Sequence, residues 1–408
     1  MLRRLIRPFL ILFLVACRAA PATAGPTPPL ATDTTAPLSS PTPGAPASTA
    51  TVTPVPPALL TVANPALIQI DFQDTKDGWG IAANDSGYVL RTVDGGRTWL
   101  NATPTGLSAV GFSTSLFVLN VNTVWLLAPG TDFFSAVLYH SLDGGATWAS
   151  NPVPFGGAWL QFVDASNGRA LADRGAAAGS QAVELFQTAD GGVTWTSVFH
   201  DNPIQSGSSD ALPFGGIKSG MVFFDANTGW VTGSQPIPGN VYLYRTQDGG
   251  SSWAAQALPL PAQTATDQFV TQPPVFFGSQ GFLPLRYYTP GGGSAETVFV
   301  SQDGGATWSG DPAAPNRSIP SGIVAAADPL HAWSWDGGPQ IYSTADGALT
   351  WSAAPTSPDL SEKLARLEFV PNGPGSFIGW ALSSLDENGH SQLYTTNDNG
   401  ATWTPVVP

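Results

Sequence analysis

The stretch Ser301-Gln302-Asp303-Gly304-Gly305-Ala306-Thr307-Trp308 decides the fold of this chain, because close variants of it occur seven times. Each copy has Ser or Thr two residues before an Asp, then a turn that contains Gly, and a Trp five residues after the Asp. The Asp and Trp pairs are Asp94 and Trp99, Asp143 and Trp148, Asp190 and Trp195, Asp248 and Trp253, Asp303 and Trp308, Asp346 and Trp351, and Asp398 and Trp403. Successive copies are 43 to 58 residues apart, which is too long for one hairpin and suits one four-stranded propeller blade.

The residues around the fourth copy show how one repeat can form one blade. Met221 to Phe224 and Trp230 to Gly233 are short apolar runs separated by a turn, and Val241 to Thr246 leads into the Asp248 turn. One copy per blade predicts an all-β domain, a seven-bladed β-propeller of four-stranded antiparallel blades. We expect each Asp to accept backbone N–H groups of its own turn and each Trp to act as a packing staple. The third copy has Arg169 where others place an aromatic residue, which predicts different packing there.

The consensus Ser/Thr-x-Asp-Gly-Gly-x-Thr-Trp resembles the Asp-box, or bacterial neuraminidase (BNR) repeat, over residues 65 to 408. That repeat occurs in sialidases, β-glucan hydrolases, sortilin-type receptors and photosystem II assembly factors. The additional pattern from Phe72 to Trp79 makes the chain most similar to the photosystem II assembly factor group within the WD40/YVTN/BNR-like propellers. The resemblance implies a propeller scaffold without catalysis. Arginines reported to dock partners in that group are matched only by Arg91 and Arg245.

The N-terminal segment predicts export and lipid anchoring. Residues 1 to 17 combine three arginines with a short apolar run, and Leu14 to Cys17 resembles a bacterial lipobox with Cys17 as the lipidated residue. A plain secretory signal is the alternative. Residues 18 to 57, rich in Pro, Thr, Ala and Ser, predict a disordered linker, and residues 58 to 408 predict the propeller. Leu59 to Val62 could add a closing strand to the last blade.

Composition limits the partners and the chemistry. The predicted propeller carries a formal charge of −17, which disfavours nucleic acid and anionic membrane surfaces. Contact with the membrane is therefore expected only through the N-terminal lipid, at the cell surface or in the periplasm. Cys17 is the only cysteine, and the four histidines lack ligand spacing, so we expect no cofactor and no metal site. We expect a monomer.

Two kinds of glycosidase site are the alternatives to a binding function. A sialidase-like site needs three arginines around a carboxylate, and no motif assembles them. A β-glucan hydrolase would use two aspartates from separate blades, and the candidates outside the repeats are Asp71, Asp164, Asp173, Asp201, Asp225 and Asp328. Asp164, Asp225 and Asp328 follow a first strand, where Asp is a common turn residue. An Asp-box glycoside hydrolase is therefore the second choice.

Loop lengths indicate where a partner could bind. Second turns (129 to 136, 172 to 182, 286 to 297 and 383 to 391) and crossovers (200 to 220 and 259 to 274) are long. In an antiparallel blade these segments emerge on the face opposite the repeat turns. The candidate binding residues there are Phe133, Phe134, Arg174, Arg286, Tyr287 and Tyr288. We expect this face to bind a protein or glycan ligand; the alternative is that the aromatic residues pack onto the blades.

Overall fold

A computed structural model describes residues 59–83, 88–107, 114–130, 134–200, 212–260, 262–310, 319–320, 322–360 and 363–407. The predicted signal with Cys17, the linker, Phe133 and Asp201 lie outside the described residues. The described residues form thirty β-strands and one short 3-10 turn, Ala262–Thr264. Among them is no helix of the length and apolar character needed to span a bilayer. The domain is therefore all-β, as the sequence predicts.

The strands form antiparallel sheets in the order of the chain. Sheet 1 contains β1 to β5: Thr61–Val62, Leu67–Phe72, Gly78–Ala82, Tyr88–Thr92 and Trp99–Asn101. Sheet 2 contains β6 to β9: Ser115–Val118, Val124–Pro129, Ala136–Ser141 and Ala149–Val153. Sheet 3 contains β10 to β13: Ala158–Phe162, Gly168–Ala177, Ser180–Thr188 and Thr196–His200. In each, four consecutive strands pair with their neighbours as a meander.

Sheet 4 has nine strands and consists of two such groups. Its first half contains β14 to β17: Ile217–Phe223, Gly229–Ser234, Tyr242–Thr246 and Ala254–Ala255. Its second half contains β18 to β22: Gln268–Thr271, Val275–Phe277, Gln280–Tyr288, Ser294–Ser301 and Ile319–Pro320. Both β18 and β19 pair with β20, so together they replace one innermost strand. The halves are joined where Ser234 pairs with Val270.

Sheets 5 and 6 complete the chain. Sheet 5 contains β23 to β26: Ile323–Ala326, Ala332–Trp335, Gln340–Thr344 and Ser352–Pro355. Sheet 6 contains β27 to β30: Leu364–Pro371, Phe377–Ser383, Leu393–Thr396 and Thr404–Pro405. The prediction that Leu59 to Val62 closes the last blade is wrong, since β1 pairs with β5 as a fifth strand of sheet 1. Its Val62 lies opposite Trp99 and covers that edge of the sheet.

The repeat turns, which we call box turns, share one set of hydrogen bonds. In the fifth, Asp303 accepts the backbone N–H of Thr307 at 2.9 Å and the hydroxyls of Thr307 and Ser301 at 2.7 and 2.8 Å. Ser301 Oγ accepts the N–H of Gly305 at 2.7 Å. Gly304 and Gly305 have φ of 67° and 77°, where a side chain would be strained. The bonds from Thr307 and Ser301 lower the pKa of Asp303 to about 2.

The box tryptophans pack inside the sheets rather than pointing into solvent. Those of the first, fourth, fifth, sixth and seventh copies are buried, and Trp148 and Trp195 are half-buried. Trp308 lies edge-on to Trp230 at 6.4 Å, and Trp253 donates its indole N–H to Gly250 O at 2.9 Å. The polar groups of the box turn are thus hydrogen-bonded within the turn, and its Trp ring packs into the sheet.

Neighbouring sheets meet through stacked aromatic rings. Trp125 stacks on Phe162 with ring centroids 3.7 Å apart, and Trp333 stacks on Phe369 at 3.9 Å. Each Trp is the second residue of the second strand of one sheet, and each Phe lies at or near the end of the first strand of the next sheet.

The same contact joins the two ends of the domain. Trp380 of sheet 6 stacks on Phe72 of sheet 1 at 3.7 Å and donates its indole N–H to Gly95 O at 3.0 Å. Sheets that pack in chain order, with the last against the first, form the closed arrangement of a β-propeller.

The third copy differs as expected. Arg169 occupies the aromatic position, and its guanidinium lies 5.1 Å from the ring centroid of Phe223 in the next sheet. Its Nη2 donates to Ala226 O at 2.9 Å. A cation–π contact therefore replaces the stacked pair at this boundary.

Candidate functional site

Arg174 and Phe134 form a fixed pair on the predicted binding face. The guanidinium of Arg174 lies between the rings of Phe134 and Phe186, 5.7 and 5.4 Å from their centroids. It also bonds Glu184 Oε2 at 2.7 Å and Pro154 O at 3.0 Å. Phe134 remains 64% exposed. The arginine charge is thus already neutralised, and the arginine supports an aromatic ring that faces solvent.

Alternation along strand β20 places Arg286 and Tyr288 on one face, where Arg286 donates a hydrogen bond to the Tyr288 hydroxyl, and Tyr287 on the other face. Arg286 pairs with Glu296, which lies opposite it on β21, at 2.9 Å and donates to Gly322 O at 2.8 Å. Tyr287 packs beside the apolar core of sheet 4, whereas Tyr288 is 42% exposed. Of these three predicted binding residues, only Tyr288 presents a largely exposed side chain. Burial raises the pKa of Glu296, and the attraction of Arg286 opposes that rise.

Two of the loops predicted on this face are strand extensions. Strands β11 and β12 continue to Ala177 and from Ser180, and β20 and β21 continue to Tyr288 and from Ser294. The hairpin partners keep pairing past the edge of the sheet, so the connecting turns shrink. The predicted loops 172 to 182 and 286 to 297 are therefore mostly paired hairpin arms.

The innermost strands surround a channel of about 1250 Å³. Its lining includes residues at both ends of these strands, such as Gln73 and Asn120 at one end and Leu364 and Ser384 at the other. Most of the wall is aliphatic, from residues such as Val275. The polar side chains of the wall include a carboxyl pair.

That carboxyl pair, Asp71 and Glu368, lies where sheet 1 meets sheet 6. Asp71 is 5% exposed and accepts the Gln73 amide at 2.5 Å, and burial raises its pKa to about 7. Burial also raises the pKa of Glu368 well above its usual range, and the charge of Asp71 adds to the rise. The Phe72 N–H and Arg366 act in the opposite direction. Two acids that resist ionisation therefore share one part of the channel.

A comparison between sheets explains the position of Glu368. Gln161 holds the corresponding position in sheet 3, where its amide oxygen accepts Phe223 N–H at 2.6 Å and its amide N–H donates to Phe223 O at 2.8 Å. Glu368 accepts Phe72 N–H at 2.9 Å in the same way. An ionised carboxylate has no proton for the second bond, whereas a protonated one does. The raised pKa favours the protonated form of Glu368, which can make both of the bonds that Gln161 makes.

Most of the other predicted carboxylates accept hydrogen bonds from backbone N–H groups close to them in the chain. Asp164, Asp225 and Asp328 each accept the N–H groups two and three residues ahead, at 2.7 to 2.8 Å, as predicted for turn residues. Asp173 accepts Gly175 N–H at 2.8 Å. Among the members of this set that the structure describes, Asp71 alone lines the channel beside another carboxyl. No group of three His, Cys, Asp or Glu suited to a metal occurs within the described ranges.

The two arginines that match docking positions of the resembled group contact the protein itself. Arg91 bonds Gly144 O at 3.2 Å and Asp77 at 3.5 Å, and Arg245 lies 5.6 Å from the Trp230 ring centroid. Both therefore contribute to packing between or within sheets.

Sequence reasoning did not find Arg366 and Glu368. Both lie in an ordinary strand pattern, Arg366-Leu-Glu368-Phe-Val, that shows no motif. The one available signal was the pair of charged residues within an apolar innermost strand. Such a strand is packed between neighbouring sheets, where burial of a charge costs free energy unless the charge has a partner.

Comparisons with solved structures agree on the fold. No protein-family model matches the chain, and no curated protein sequence is similar to it. A PL25 ulvan lyase is 12% identical, with 86% of this chain and 96% of that chain covered and a TM-score of 0.50. YCF48 bound to D1 peptide is 15% identical, with 80% and 92% covered and a TM-score of 0.48. YCF48 from Cyanidioschyzon merolae is 16% identical, with 84% and 99% covered and a TM-score of 0.47.

The match to the ulvan lyase is consistent with a propeller fold. At such identities the similarity is one of fold.

Proposed function

We propose that this chain is a non-catalytic binding module, a seven-bladed propeller that binds a protein or glycan ligand on the face opposite the box turns. The two halves of sheet 4 supply two of the seven blades in this proposal. The observation that carries it is the exposed ring of Phe134, held over Arg174. An aromatic ring already fixed in place loses little conformational freedom when a ligand covers it.

The neighbouring hairpins support the same face. Tyr288 is exposed at the end of the β20 and β21 hairpin, and the β11 and β12 hairpin extends beside Arg174. Second turns share one face of an antiparallel blade assembly, so both hairpins project on the side of Phe134. Because Glu184 and Glu296 neutralise the nearby arginines, this face suits aromatic contact rather than capture of an anion.

We also propose that this module lies outside the cytoplasm on a bacterial membrane, on the basis of the predicted export signal and lipidation of Cys17. The lipid on Cys17 would anchor the chain, and the Pro-rich residues 18 to 57 would act as a stalk. Labelling with radioactive palmitate tests this directly, because Cys17→Ser removes the only thiol. Label retained in Cys17→Ser contradicts the anchor.

The binding face is tested by capture from membrane extracts with the full-length protein and three variants. Phe134→Ala and Tyr288→Ala are expected to lose the captured partner with melting temperatures within about 1 °C of the wild type, because exposed side chains contribute little to stability. Leu349→Ala is the control, since Leu349 is exposed in a box turn on the opposite face. Loss of the partner in Leu349→Ala with retention in the other two refutes the assignment of the face.

The glycosidase alternative has one specific observation in its favour. Asp71, with a pKa of about 7, lies beside Glu368, and glycosidases pair a protonated acid with a second carboxylate. Fluorogenic sialosides and β-glucans offered to the full-length protein test this reading. Turnover that Asp71→Asn abolishes, while Asp173→Asn retains it, would replace the binding proposal by an enzyme.

A further inference from the structure

One charged side chain of the channel wall, that of Arg366, lacks a partner among the described residues. It forms no ion pair, hydrogen bond or cation–π contact with any of them. Its Nε atom is enclosed by protein, whereas Nη1 and Nη2 at the tip are not, and the residue is half-buried in the channel wall. Burial lowers the pKa of Arg366, but a guanidinium stays charged near neutral pH. The tip therefore offers a positive charge and free N–H donors to the channel.

Two other half-buried arginines of this domain each have a carboxylate partner. Arg174 pairs with Glu184 at 2.7 Å, and Arg286 pairs with Glu296 at 2.9 Å. Removal of a charge from bulk water costs free energy unless an opposite charge compensates it. The unpaired guanidinium of Arg366 therefore indicates that another molecule supplies the anion.

The two acids near Arg366 are bonded elsewhere. Glu368, two residues further along β27, accepts Phe72 N–H, and Asp71 accepts the Gln73 amide. Both pKa values are raised, that of Asp71 to about 7, so both carboxyl groups hold a proton in mildly acidic solution. Below pH 7 an anion at Arg366 therefore meets neutral carboxyl groups rather than carboxylates.

The channel leads from Arg366 to an apolar mouth on the box-turn face. Arg366 lies near the start of β27, at the end of the channel formed by Leu364 and Ser384. An innermost strand of six residues, such as β2, spans about 20 Å, whereas a lipid chain crosses about 15 Å of one bilayer leaflet. The channel thus has room for an extended alkyl chain. Apolar side chains at or just beyond the ends of innermost strands form the mouth: Leu119, Val163, Phe224 and Phe277.

We propose that the channel binds a long-chain carboxylic acid, with its carboxylate on Arg366 and its alkyl chain directed toward the box-turn mouth. Charge-assisted hydrogen bonds from the two Nη atoms hold the carboxylate. Contact of the chain with the aliphatic wall adds hydrophobic free energy in proportion to its length. This site is separate from the Phe134 face and does not depend on the proposed function.

The remaining charged residues of the wall do not oppose this arrangement. Arg286 and Glu296 neutralise each other. Asp164 is exposed at the box-turn mouth, where backbone N–H groups of its own turn bond its carboxylate. By position along the innermost strands it lies roughly 16 Å from Arg366. In the part of the wall that the structure describes, Arg366 is thus the cation that no neighbouring group neutralises.

Binding is measured by calorimetry on the full-length protein at pH 6 with octanoate and decanoate. Each buried methylene is worth about fourfold in affinity, so decanoate is expected to bind at least about tenfold more tightly than octanoate. Acetate provides the head group alone, and decyltrimethylammonium provides the same chain with the opposite charge. Both are expected to bind at least about tenfold more weakly than decanoate.

Substitution of Arg366 tests the head-group contact. Arg366→Met is expected to weaken decanoate binding about tenfold or more, the loss expected for hydrogen bonds to a charged group. Its melting temperature without ligand is expected to equal or exceed that of the wild type, because an unpaired charge is removed. Arg366→Lys keeps a charge and is expected to bind decanoate more tightly than Arg366→Met does. Arg245→Met is the matched control, since Arg245 lies outside the channel wall against the Trp230 ring, and its decanoate affinity should equal that of the wild type.

The pH dependence of binding gives a second readout. Asp71 ionises as the pH rises through about 7, and its charge then repels the bound carboxylate. Decanoate is therefore expected to bind more weakly at pH 8.5 than at pH 6, and ionisation of Glu368 acts in the same direction. Asp71→Asn is expected to lose less affinity over this range than the wild type does.

Five results overturn the proposal. They are the absence of decanoate binding, equal affinities for octanoate and decanoate, tighter binding of decyltrimethylammonium than of decanoate, an undiminished affinity in Arg366→Met, and equal decanoate affinities at pH 6 and pH 8.5. Phe134→Ala is expected to bind decanoate as the wild type does. Failure of the binding face and failure of the channel site therefore give different patterns.

Discussion

Replacing Asp71 by Asn is expected to stabilise the protein at neutral pH and to leave it unchanged in acid. The folded-state pKa of Asp71 is about 7, against 3.8 for an ordinary Asp. The folded protein therefore holds this proton more tightly than the unfolded chain does. The stabilisation that Asp71 provides is complete below pH 3.8 and is lost as the pH rises through about 7.

The size of the effect follows from the shift. About three pKa units at roughly 1.4 kcal/mol per unit amount to about 4 kcal/mol in the free energy of unfolding. With an unfolding entropy of about 2.1 cal/mol/K per residue, over roughly 350 residues, this corresponds to about 5 °C in melting temperature. Asn keeps an oxygen for the Gln73 amide and cannot ionise, so it escapes the loss.

The measurement is thermal unfolding of the wild type and Asp71→Asn from pH 4 to pH 9. The difference between their melting temperatures is expected to be near zero at pH 4 and to reach about 5 °C above pH 8. Titrating groups remote from Asp71 affect both proteins equally and cancel, whereas the pKa of Glu368 is lower in the variant because the charge of Asp71 no longer raises it. Asp173→Asn is the control, because it changes a carboxylate of strand β11 that lies beside a bulge and outside the channel wall. A difference independent of pH would refute the argument.

Three further outcomes are expected. Glu368→Gln raises the melting temperature increasingly as the pH rises above the ordinary Glu value of 4.5, because burial raises the pKa of Glu368 and the amide does not ionise. The amide can also donate to Phe72 O as Gln161 does to Phe223 O, and a melting temperature equal to that of the wild type throughout a pH series contradicts this. In urea unfolding, Trp308→Ala lowers the free energy of unfolding by about 3 to 5 kcal/mol, because it removes a buried indole. Asp303→Asn lowers the free energy of unfolding by less, and its effect becomes smaller as the pH falls toward about 2. A larger effect for Asp303→Asn than for Trp308→Ala contradicts the indole as the main source of stability in the box turn. Lys218→Met lowers the melting temperature and speeds proteolysis around residue 213, because the buried ammonium donates to Gln181 O, Pro213 O and Phe214 O. Equal proteolysis rates in the wild type and the variant contradict this prediction.

The repeat could be interpreted from the sequence because its interactions are local. Every bond of the Asp303 turn joins residues within four positions of each other, so the motif carries its own geometry. The different packing at Arg169 could also be predicted, since the other copies of the repeat have an aromatic residue at that position. The prediction for Leu59 to Val62 failed because the choice of edge depends on which sheet leaves an unpaired strand nearby.

The predicted binding face shows a similar division. Phe134 and Tyr288 are exposed, but alternation along β20 turns Arg286 to Glu296 and Tyr287 to the core. A run of three residues that looks like one loop patch is divided by the register of a hairpin that extends further than the sequence indicated.

The all-β repeat, the seven box turns and their anchoring tryptophans could be predicted from the sequence, because turn geometry and indole burial depend on residues close in the chain. The contact of Asp71 with Glu368 and Arg366, almost three hundred residues later in the chain, arises from the folding of the whole domain around a channel. Closing the ring brings the first sheet against the last, and the pKa of a carboxyl depends on that enclosure and on its neighbours in space. No local pattern encodes either quantity.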